Sequence, residues 1–337
     1  MTVIRKTLPT ADEARSLLPL SDGLKAVKAR FDKELINNFQ SKKRFVAVVG
    51  PCSADDVDSM KEYVEKLADV AARCPDLLVV ARVYTTKPHS NGQGYLGACF
   101  HNNAADAADI SRGVLRCREM MINCIQAGLP VADELLYPDL YEYFRDLVSY
   151  WFVGARSSEN SLLRGIASGL DVCCGIKNGT DGDVDKAVDS VYAVSNPCVY
   201  PYAGSQFVTD GCKYAHLTLR GGIKGSKGEQ TFVNNMDEHS VLRAKNLLKK
   251  YGLNDFIMAD LSHGNSGKIA KRQIENAKCA VNNLNIDGVM MESYLYEGGQ
   301  STEYGVSQTD DCLSFEDTEN VLEYLQRVVV NRRKNLL

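Results

Sequence analysis

Four residues that can bind a metal ion stand at or just after short hydrophobic runs of the chain. They are Cys52, His263, Glu292 and Asp310. A barrel of parallel strands brings residues that are distant in sequence to the C-terminal ends of its strands, where its active site forms. If these runs are such strands, we expect the four side chains to meet in one site.

A second group of residues at the ends of apolar runs is positively charged. Its members are Arg82, Lys87, Arg156, Lys177 and Arg220. An arginine at the end of a strand is more often part of a surface ion pair, so the group carries more weight than any one member. Positive charges gathered around a divalent metal indicate an anionic substrate that carries phosphate or carboxylate.

Apolar runs alternate along the chain with segments that carry apolar residues at helical spacing. This alternation predicts a parallel sheet, and eight repeats predict closure into a barrel. The predicted strands are 45–49, 77–83, 129–135, 151–155, 172–176, 215–219, 256–261 and 288–291. The predicted helical segments include 58–73, 110–127, 140–149, 184–195, 236–251 and 268–284.

Two segments lie outside the eightfold repeat. Residues 1–44 precede the first strand, and the run 198–202, followed by 204–211, is typical of an inserted hairpin. We find no interdomain linker in the remainder. The expected fold is therefore an α/β protein, a (β/α)8 TIM barrel at 45–337 with an N-terminal extension at 1–44 and an inserted β-hairpin.

Composition excludes several classes of protein. The formal net charge of -4 and the pI near 5.8 provide no electrostatic surface for nucleic acid. The apolar runs are far shorter than the roughly 20 residues of a membrane-spanning helix, and no signal-peptide core follows the first residues. The eleven cysteines include no zinc-ribbon pair, and most are expected in the core. We therefore expect a cytoplasmic protein that binds neither nucleic acid nor membrane.

Nine short motifs occur in order along the chain. They are Gly-Pro-Cys-Ser at 50–53, Ala-Arg-Val-Tyr-Thr-Thr-Lys-Pro at 81–88, Ala-Asp-Glu-Leu-Leu at 132–136, Gly-Ala-Arg-Ser-Ser-Glu at 154–159, Ala-Ser-Gly-Leu at 167–170, Ile-Lys-Asn-Gly-Thr-Asp-Gly at 176–182, Leu-Arg-Gly-Gly at 219–222, Asp-Leu-Ser-His-Gly-Asn-Ser at 260–266 and Met-Glu-Ser-Tyr at 291–294. Each motif alone is weak, but in this order they resemble those of the microbial type I 3-deoxy-D-arabino-heptulosonate 7-phosphate (DAHP) synthases. The resemblance extends from about Pro9 to Leu325.

The resemblance implies a condensation of phosphoenolpyruvate with erythrose 4-phosphate that gives DAHP and phosphate, the first step of the shikimate pathway. It also implies a divalent metal held by Cys52, His263, Glu292 and Asp310. Thiolate, imidazole and carboxylate donors together suit manganese, iron, cobalt or zinc better than magnesium or calcium. The sequence does not choose among these four metals.

The resemblance further implies roles for the residues that bind substrate. Phosphoenolpyruvate is expected at Ala155, Arg156, Lys177 and Arg220. Arg82 and Lys87 are expected to close the site from the second strand, and Lys87 to contact both substrates and act in catalysis with Cys52 and His263. Glu134 and Asp260 are expected either to orient a cation or the histidine, or to serve only as ion-pair partners. Pro88, His89 and Ser90 are expected at the acceptor.

The acceptor motif departs from the family pattern. The family has Lys-Pro-Arg-Thr where this chain has Lys87-Pro88-His89-Ser90. A neutral imidazole offers one hydrogen bond, whereas arginine offers two charged ones in a planar fork, so affinity for a phosphorylated acceptor should fall. The segment 161–164 also lacks a histidine of the family's Gln-x-His-Arg.

Three functions are compatible with these residues. The first is a DAHP synthase with an altered acceptor site, and the second is a paralogue that joins phosphoenolpyruvate to a different aldehyde in a specialised pathway. The third, a non-catalytic scaffold, is disfavoured because a scaffold needs neither the metal ligands nor the cations. The resemblance also implies a homodimer or homotetramer, with residues 1–44 in subunit contacts or an effector site.

Overall fold

Eight parallel strands close into a barrel in the computed structural model, which describes residue 4 and residues 6–88, 94–102, 106–225 and 229–336. This confirms the predicted fold class. Around the barrel the strands follow the order β1-β12-β11-β8-β5-β4-β3-β2. The strands are β1 Phe45–Gly50, β2 Leu77–Arg82, β3 Val131–Glu134, β4 Tyr150–Val153, β5 Cys173–Lys177, β6 Cys198–Tyr202, β7 Ser205–Thr209, β8 Ala215–Leu219, β9 Gly222–Lys224, β10 Thr231–Val233, β11 Ile257–Asp260 and β12 Gly288–Glu292.

Helices surround the barrel, as the alternating pattern predicts. They are α1 Ala11–Leu17, α2 Asp22–Ser41, α3 Val57–Arg73, α4 Ile110–Gln126, α5 Pro138–Phe144, α6 Ser161–Ser168, α7 Val184–Ser195, α8 Glu238–Lys250, α9 His263–Ser266, α10 Arg272–Asn282 and α11 Phe315–Leu336. Within the described part of the chain, no helix has the length and apolar character needed to cross a membrane.

Two helices are shorter than the periodicity predicts. Helix α5 ends at Phe144, and the buried Leu147 and Val148 lie in the turn that leads into β4. The predicted helix 268–284 begins only at Arg272. Before it, Gly267 and Lys268 have φ angles of 61° and 62°, which a right-handed helix does not accommodate. The apolar spacing continues through both turns because their residues pack against the core although their backbone is not helical.

Alternate side chains of the barrel strands point to opposite faces. Val46 and Val48 belong to the cluster inside the barrel, whereas Ala47 and Val49 belong to the layer between the strands and the surrounding helices. Both clusters are buried, so each strand reads as a continuous apolar run, as is usual for parallel sheets.

Helix α2 closes the N-terminal end of the barrel. Its Phe39 packs on Phe256, with ring centroids 4.1 Å apart, and on His216 at 4.5 Å. Phe256 lies just before β11, and His216 is the second residue of β8, so this contact is at the beginning of the strands. The opposite end of the barrel remains available for a site.

Two pairs of short antiparallel strands lie outside the barrel. Strands β6 and β7 form a hairpin between α7 and β8, and most of their residues are at least partly exposed. Strands β9 and β10 form the second pair after β8, near the C-terminal ends of the barrel strands.

Candidate active site

The C-terminal ends of the strands surround a cavity of about 630 Å³. Arg82, Glu134, Lys177 and Asp260 are the last residues of their strands, and Glu292 ends β12 directly beside Gly50 of β1. Parallel strands align these ends at one mouth of the barrel. The cavity is lined by Arg82, Tyr84, Lys87, Pro88, Glu134, Gly154, Ala155, Arg156, Lys177, Thr180, Arg220, Ile223, Gln230, His263, Lys268, Thr309 and Asp310.

Most residues singled out from the sequence meet at this cavity. All five cations line it, together with Pro88, Glu134 and Ala155. Two further residues, Cys52 and Glu292, are buried next to it. His89 and Ser90 lie outside the described residues.

Three of the four potential metal ligands lie close together. The ligand atoms of Cys52, Glu292 and Asp310 are all within 4.8 Å of one another. The Nε2 atom of His263 is 3.7 Å from Oε1 of Glu292. Ligand distances of about 2.0–2.3 Å place donors around one ion about 3–4 Å apart, so small side-chain shifts would let all four reach one ion. This donor set fits a transition metal.

Asp260 holds His263 in the orientation that a ligand needs. Its carboxylate accepts from Nδ1 of His263 at 3.0 and 3.2 Å, and Ser262 Oγ lies 2.7 Å from the same nitrogen. The proton on Nδ1 leaves the Nε2 lone pair free for a metal. Burial lowers the pKa of His263 against the opposing charge of Asp260, which favours the neutral imidazole.

The carboxylates of Glu292 and Asp260 are ionised at neutral pH. Burial alone would raise the pKa of Glu292, but the positive charges of His263, in its protonated form, and of Arg82 and Lys87 outweigh burial and lower the pKa to about 2. Burial also opposes ionisation of Asp260, yet protonated His263 and Lys177 hold the pKa of Asp260 well below the usual range. Burial, with the charge of Glu292, raises the pKa of the Cys52 thiol. A divalent ion at Cys52 would therefore have to displace a proton.

Arg82 and Arg220 present buried N–H groups at the cavity. Arg82 is fully buried and donates from Nη2 to Glu292 Oε1 at 2.8 Å and to the Cys52 carbonyl at 3.1 Å. Its Nε and Nη1, and Nη1 of Arg220, have no hydrogen-bond partner among the described residues. A buried donor left without a partner is costly. Such donors at a cavity are suited to an anion that supplies the missing acceptors.

Tyr84 holds three of the cations near its ring face. The distances from the ring centroid are 4.0 Å to Cζ of Arg82, 5.4 Å to Nζ of Lys177 and 5.9 Å to Nζ of Lys87. The ring quadrupole attracts cations and offsets part of their mutual repulsion. This role is not predicted from the sequence, although Tyr84 stands inside the 81–88 motif.

The two lysines also have fixed partners. Lys177 Nζ donates to Asp260 Oδ2 at 2.9 Å, so Asp260 contacts both a cation and the histidine. Lys87 Nζ donates to the Cys52 carbonyl at 2.6 Å. Burial would lower the pKa of Lys87, but the neighbouring Cys52 and the charge of Glu292 outweigh burial and raise that pKa, so the side chain carries a proton at neutral pH.

Gly154 makes room for the Glu134 carboxylate. A Cβ atom at position 154 would lie 1.9 Å from Glu134 Oε1. Any larger residue would push Glu134 out of its place beside the cavity. Ala155 and the exposed Arg156 follow at the rim.

Five further lining residues were not assigned from the sequence, namely Thr180, Ile223, Gln230, Lys268 and Thr309. The ammonium of Lys268 lies 3.3 Å from Oδ1 of Asp310. The backbone φ angle of Lys268 is positive. Lys268 directly follows the 260–266 motif, a placement that could have indicated a further cation at the site.

Known proteins share this arrangement of sequence and fold. Residues 36–323 match the model of the DAHP synthetase I family. The phenylalanine-inhibited phospho-2-dehydro-3-deoxyheptonate aldolase of Saccharomyces cerevisiae is 37% identical, over 87% of this chain and 83% of that protein. The Phe-sensitive enzyme of the same name from Escherichia coli is 35% identical, over 86% and 85%. The structure of the phospho-2-dehydro-3-deoxyheptonate aldolase of Francisella tularensis superposes with a TM-score of 0.89 at 32% identity, covering 98% of each chain.

Proposed function

The chain belongs to the DAHP synthetase I family, and on this basis we propose that it condenses phosphoenolpyruvate with erythrose 4-phosphate to give DAHP and phosphate. In this reaction the methylene carbon of phosphoenolpyruvate forms a bond to the aldehyde carbon of the acceptor. Water adds to the enolpyruvyl carbon, and the bond from that carbon to the phosphate oxygen breaks. The proposal extends to a divalent metal and to both substrates.

One observation carries the proposal, namely buried guanidinium donors without a partner among the described residues, beside a cluster of potential metal ligands. Arg82 and Arg220 present charged donors, which an anion would satisfy in both hydrogen bonding and charge. Arg82 also donates to Glu292, a member of the Cys52, Glu292 and Asp310 cluster. Phosphoenolpyruvate carries both a phosphate and a carboxylate, so it could accept hydrogen bonds from several cationic side chains at once.

In this proposal Ala155, Arg156, Lys177 and Arg220 bind phosphoenolpyruvate. The guanidinium groups offer paired donors to phosphate oxygens, and Lys177 offers a charge fixed by Asp260. Binding at several points would hold the methylene carbon toward the acceptor, which lowers the entropic part of the barrier.

Cys52, His263, Glu292 and Asp310 would hold the divalent metal. When bound, manganese, iron, cobalt or zinc would supply a Lewis acid for the acceptor carbonyl or lower the pKa of a water molecule. Asp260 would keep His263 oriented, and Arg82 would fix the Glu292 carboxylate.

We assign proton transfer to Lys87. Its ammonium lies beside the Cys52 carbonyl, and its raised pKa keeps it protonated. A positioned ammonium could donate to the acceptor oxygen as that oxygen gains negative charge. Pro88 follows directly, and the acceptor motif continues into His89 and Ser90.

Assembly and location belong to the same proposal. We propose a homodimer or homotetramer in the cytoplasm. Residues 1–44, the extension that precedes the catalytic barrel at 45–337, would contribute subunit contacts or an effector site.

A phosphate-release assay tests the proposed reaction. Purified protein is incubated with phosphoenolpyruvate, Mn²⁺ and one aldehyde of a panel that includes erythrose 4-phosphate, and the product is identified by mass. We expect release that depends on erythrose 4-phosphate and yields DAHP. If phosphate is released only with another aldehyde, that aldehyde is the acceptor instead of erythrose 4-phosphate. If no aldehyde leads to phosphate release, the proposed catalysis is contradicted.

A further inference from the structure

A buried hydrogen-bonded pair joins two chain segments that carry proposed metal ligands. Asp55 lies three residues after Cys52, and its Oδ1 accepts from the Tyr294 hydroxyl at 2.7 Å. Its Oδ2 accepts from Nε2 of Gln308 at 3.3 Å. Gln308 stands two residues before Asp310. Asp55 therefore binds the segment that leaves β1 to two points of the segment that follows β12.

These contacts matter most for Asp310, since the other ligands have firm anchors. The main chain of Glu292 is held on both sides by Gln273, at 2.8 and 3.0 Å. The amide of Cys52 donates to Cys312 Sγ at 3.2 Å, and both residues are buried. Asp310 is only half-buried and lies in a segment without regular structure.

The pair is deeply buried. Asp55 is 4% exposed and Tyr294 is fully buried. The hydroxyl of Tyr294 also lies 2.6 Å from Ser59 Oγ, and the amide of Asp56 donates to Asp55 at 2.8 Å. A buried carboxylate is costly unless its hydrogen bonds are satisfied. A fully satisfied network of this kind holds its members in one geometry.

We propose that Asp55 and Tyr294 are positioning residues that hold the segment carrying Asp310 against the segment carrying Cys52 and so set the affinity of the site for its divalent metal. This inference rests on the proposed function, because it takes Cys52, Glu292 and Asp310 as ligands. Neither Asp55 nor Tyr294 lines the cavity, so neither is proposed to touch substrate.

The test measures Mn²⁺ affinity directly, by calorimetric titration of the metal-free protein without substrate at pH 7.5. Tyr294→Phe removes the hydroxyl and keeps the ring, and Asp55→Asn removes the charge and keeps the shape. We expect each to weaken Mn²⁺ binding by about 10- to 100-fold, the usual effect of changing a group that orients a ligand. The double variant should lose little more than one single variant, because the two residues act through one hydrogen bond.

Tyr143→Phe is the matched control. Tyr143 is also a buried tyrosine whose hydroxyl donates to one oxygen, the Pro9 carbonyl, but it lies on α5 away from the metal ligands. It should lose stability to a similar degree and keep wild-type Mn²⁺ affinity. Equal losses of affinity in Tyr143→Phe and Tyr294→Phe would show a general effect of destabilisation and overturn the inference.

Gln308→Glu guards against a variant that fails to fold. Gln308 is half-buried, so the change is tolerable, yet it places a second carboxylate beside Asp55 and should also weaken Mn²⁺ binding.

Cys52→Ala distinguishes failure of the proposed metal site from failure of the proposed positioning role. Unchanged affinity in Cys52→Ala would refute the metal site itself. Lost affinity in Cys52→Ala with wild-type affinity in Tyr294→Phe, Asp55→Asn and Gln308→Glu would refute only the positioning role.

Discussion

Removing single residues at the cavity should affect the stability of the folded protein to different degrees. Arg220 has a buried Nη1 with no partner among the described residues, whereas Lys177 is paired with the buried Asp260. Removing Arg220 takes away a donor that awaits an anion. Removing Lys177 also leaves a buried carboxylate without its cation, which is strongly destabilising.

We therefore expect Arg220→Met and Lys177→Met to differ in stability but not in donor binding. Both should weaken use of phosphoenolpyruvate by about 2 kcal/mol or more, since hydrogen bonds to charged groups contribute roughly 1.5–3 kcal/mol. Only Lys177→Met should also lower the free energy of unfolding substantially. The measurements are kinetics and urea unfolding, with Lys25→Ala, an exposed change on α2, as control. Unchanged kinetics in both variants would place the donor elsewhere.

His89 is the residue whose chemistry departs most from the family motif. The sequence predicts that His89→Arg raises kcat/KM for erythrose 4-phosphate, through the KM of the acceptor more than that of phosphoenolpyruvate, because arginine matches a phosphate in charge and geometry. Kinetics with both substrates varied would measure this. If wild type already uses erythrose 4-phosphate efficiently and His89→Arg does not raise kcat/KM, other cations must be sufficient to bind the acceptor phosphate. Lys268, at the same cavity, is the first to examine.

At the scale of elements, β2 and β3 are joined where the chain turns toward Lys87. Asp133 of β3 accepts from the amide and the hydroxyl of Thr85, at 3.1 and 2.8 Å. Thr85 lies two residues before Lys87, so this contact fixes the start of the segment that carries it. Burial raises the pKa of Asp133 from its ordinary value near 4 to about 7, against the lowering effect of these hydrogen bonds.

The raised pKa of Asp133 predicts that the stability of the folded protein depends on pH. Because the folded protein binds this proton more tightly than the unfolded chain, stability falls as pH rises from about 4 through 7. The Asp133→Asn variant cannot ionise at this position, so it should not lose this stability as pH rises. Relative to wild type, its free energy of unfolding should therefore increase between about pH 4 and 7, by about 2 kcal/mol or more at pH 8. Urea unfolding from pH 5 to 8 measures the difference, with the exposed Asp189→Asn as control. A difference independent of pH would contradict the assignment.

At the scale of the whole molecule, the proposed metal would connect the beginning and the end of the barrel. Cys52 follows β1, whereas Glu292 ends β12 and Asp310 follows it, and β1 pairs with β12 where the barrel closes. An ion shared by these residues would bind only the folded chain, so its binding free energy would add to the stability of the closed barrel.

Metal removal should therefore affect both activity and stability. Exhaustive chelation is expected to abolish turnover and lower Tm, and Mn²⁺ or another transition metal should restore both. At 100 times its Kd the ion should add about 2.7 kcal/mol to the free energy of unfolding. Thermal unfolding against metal concentration measures this, and Cys52→Ala should show a much smaller shift. Full activity of chelated Cys52→Ala would contradict the metal assignment.

The strands and most helices could be predicted because burial leaves a local trace. Strands such as Phe45–Gly50 are buried on both faces and appear as unbroken apolar runs, and α7 has the same bounds, Val184–Ser195, as its predicted segment. Helix α2 left a weaker trace, because it packs mainly through a few residues such as Leu35 and Phe39. Its role in closing the barrel depends on Phe256 and His216, far along the chain.

The sequence by itself determined which side chains stand at the ends of strands, and therefore that potential metal ligands and cations would share one mouth of the barrel. Only the tertiary structure decided how they face one another. The donors of Arg82 that lack a partner among the described residues, the ring of Tyr84 among three cations and the hydrogen bond between Asp55 and Tyr294 depend on distances across the barrel. Local periodicity records which face of an element is buried, whereas contacts between elements are set by the register in which the strands pair and close.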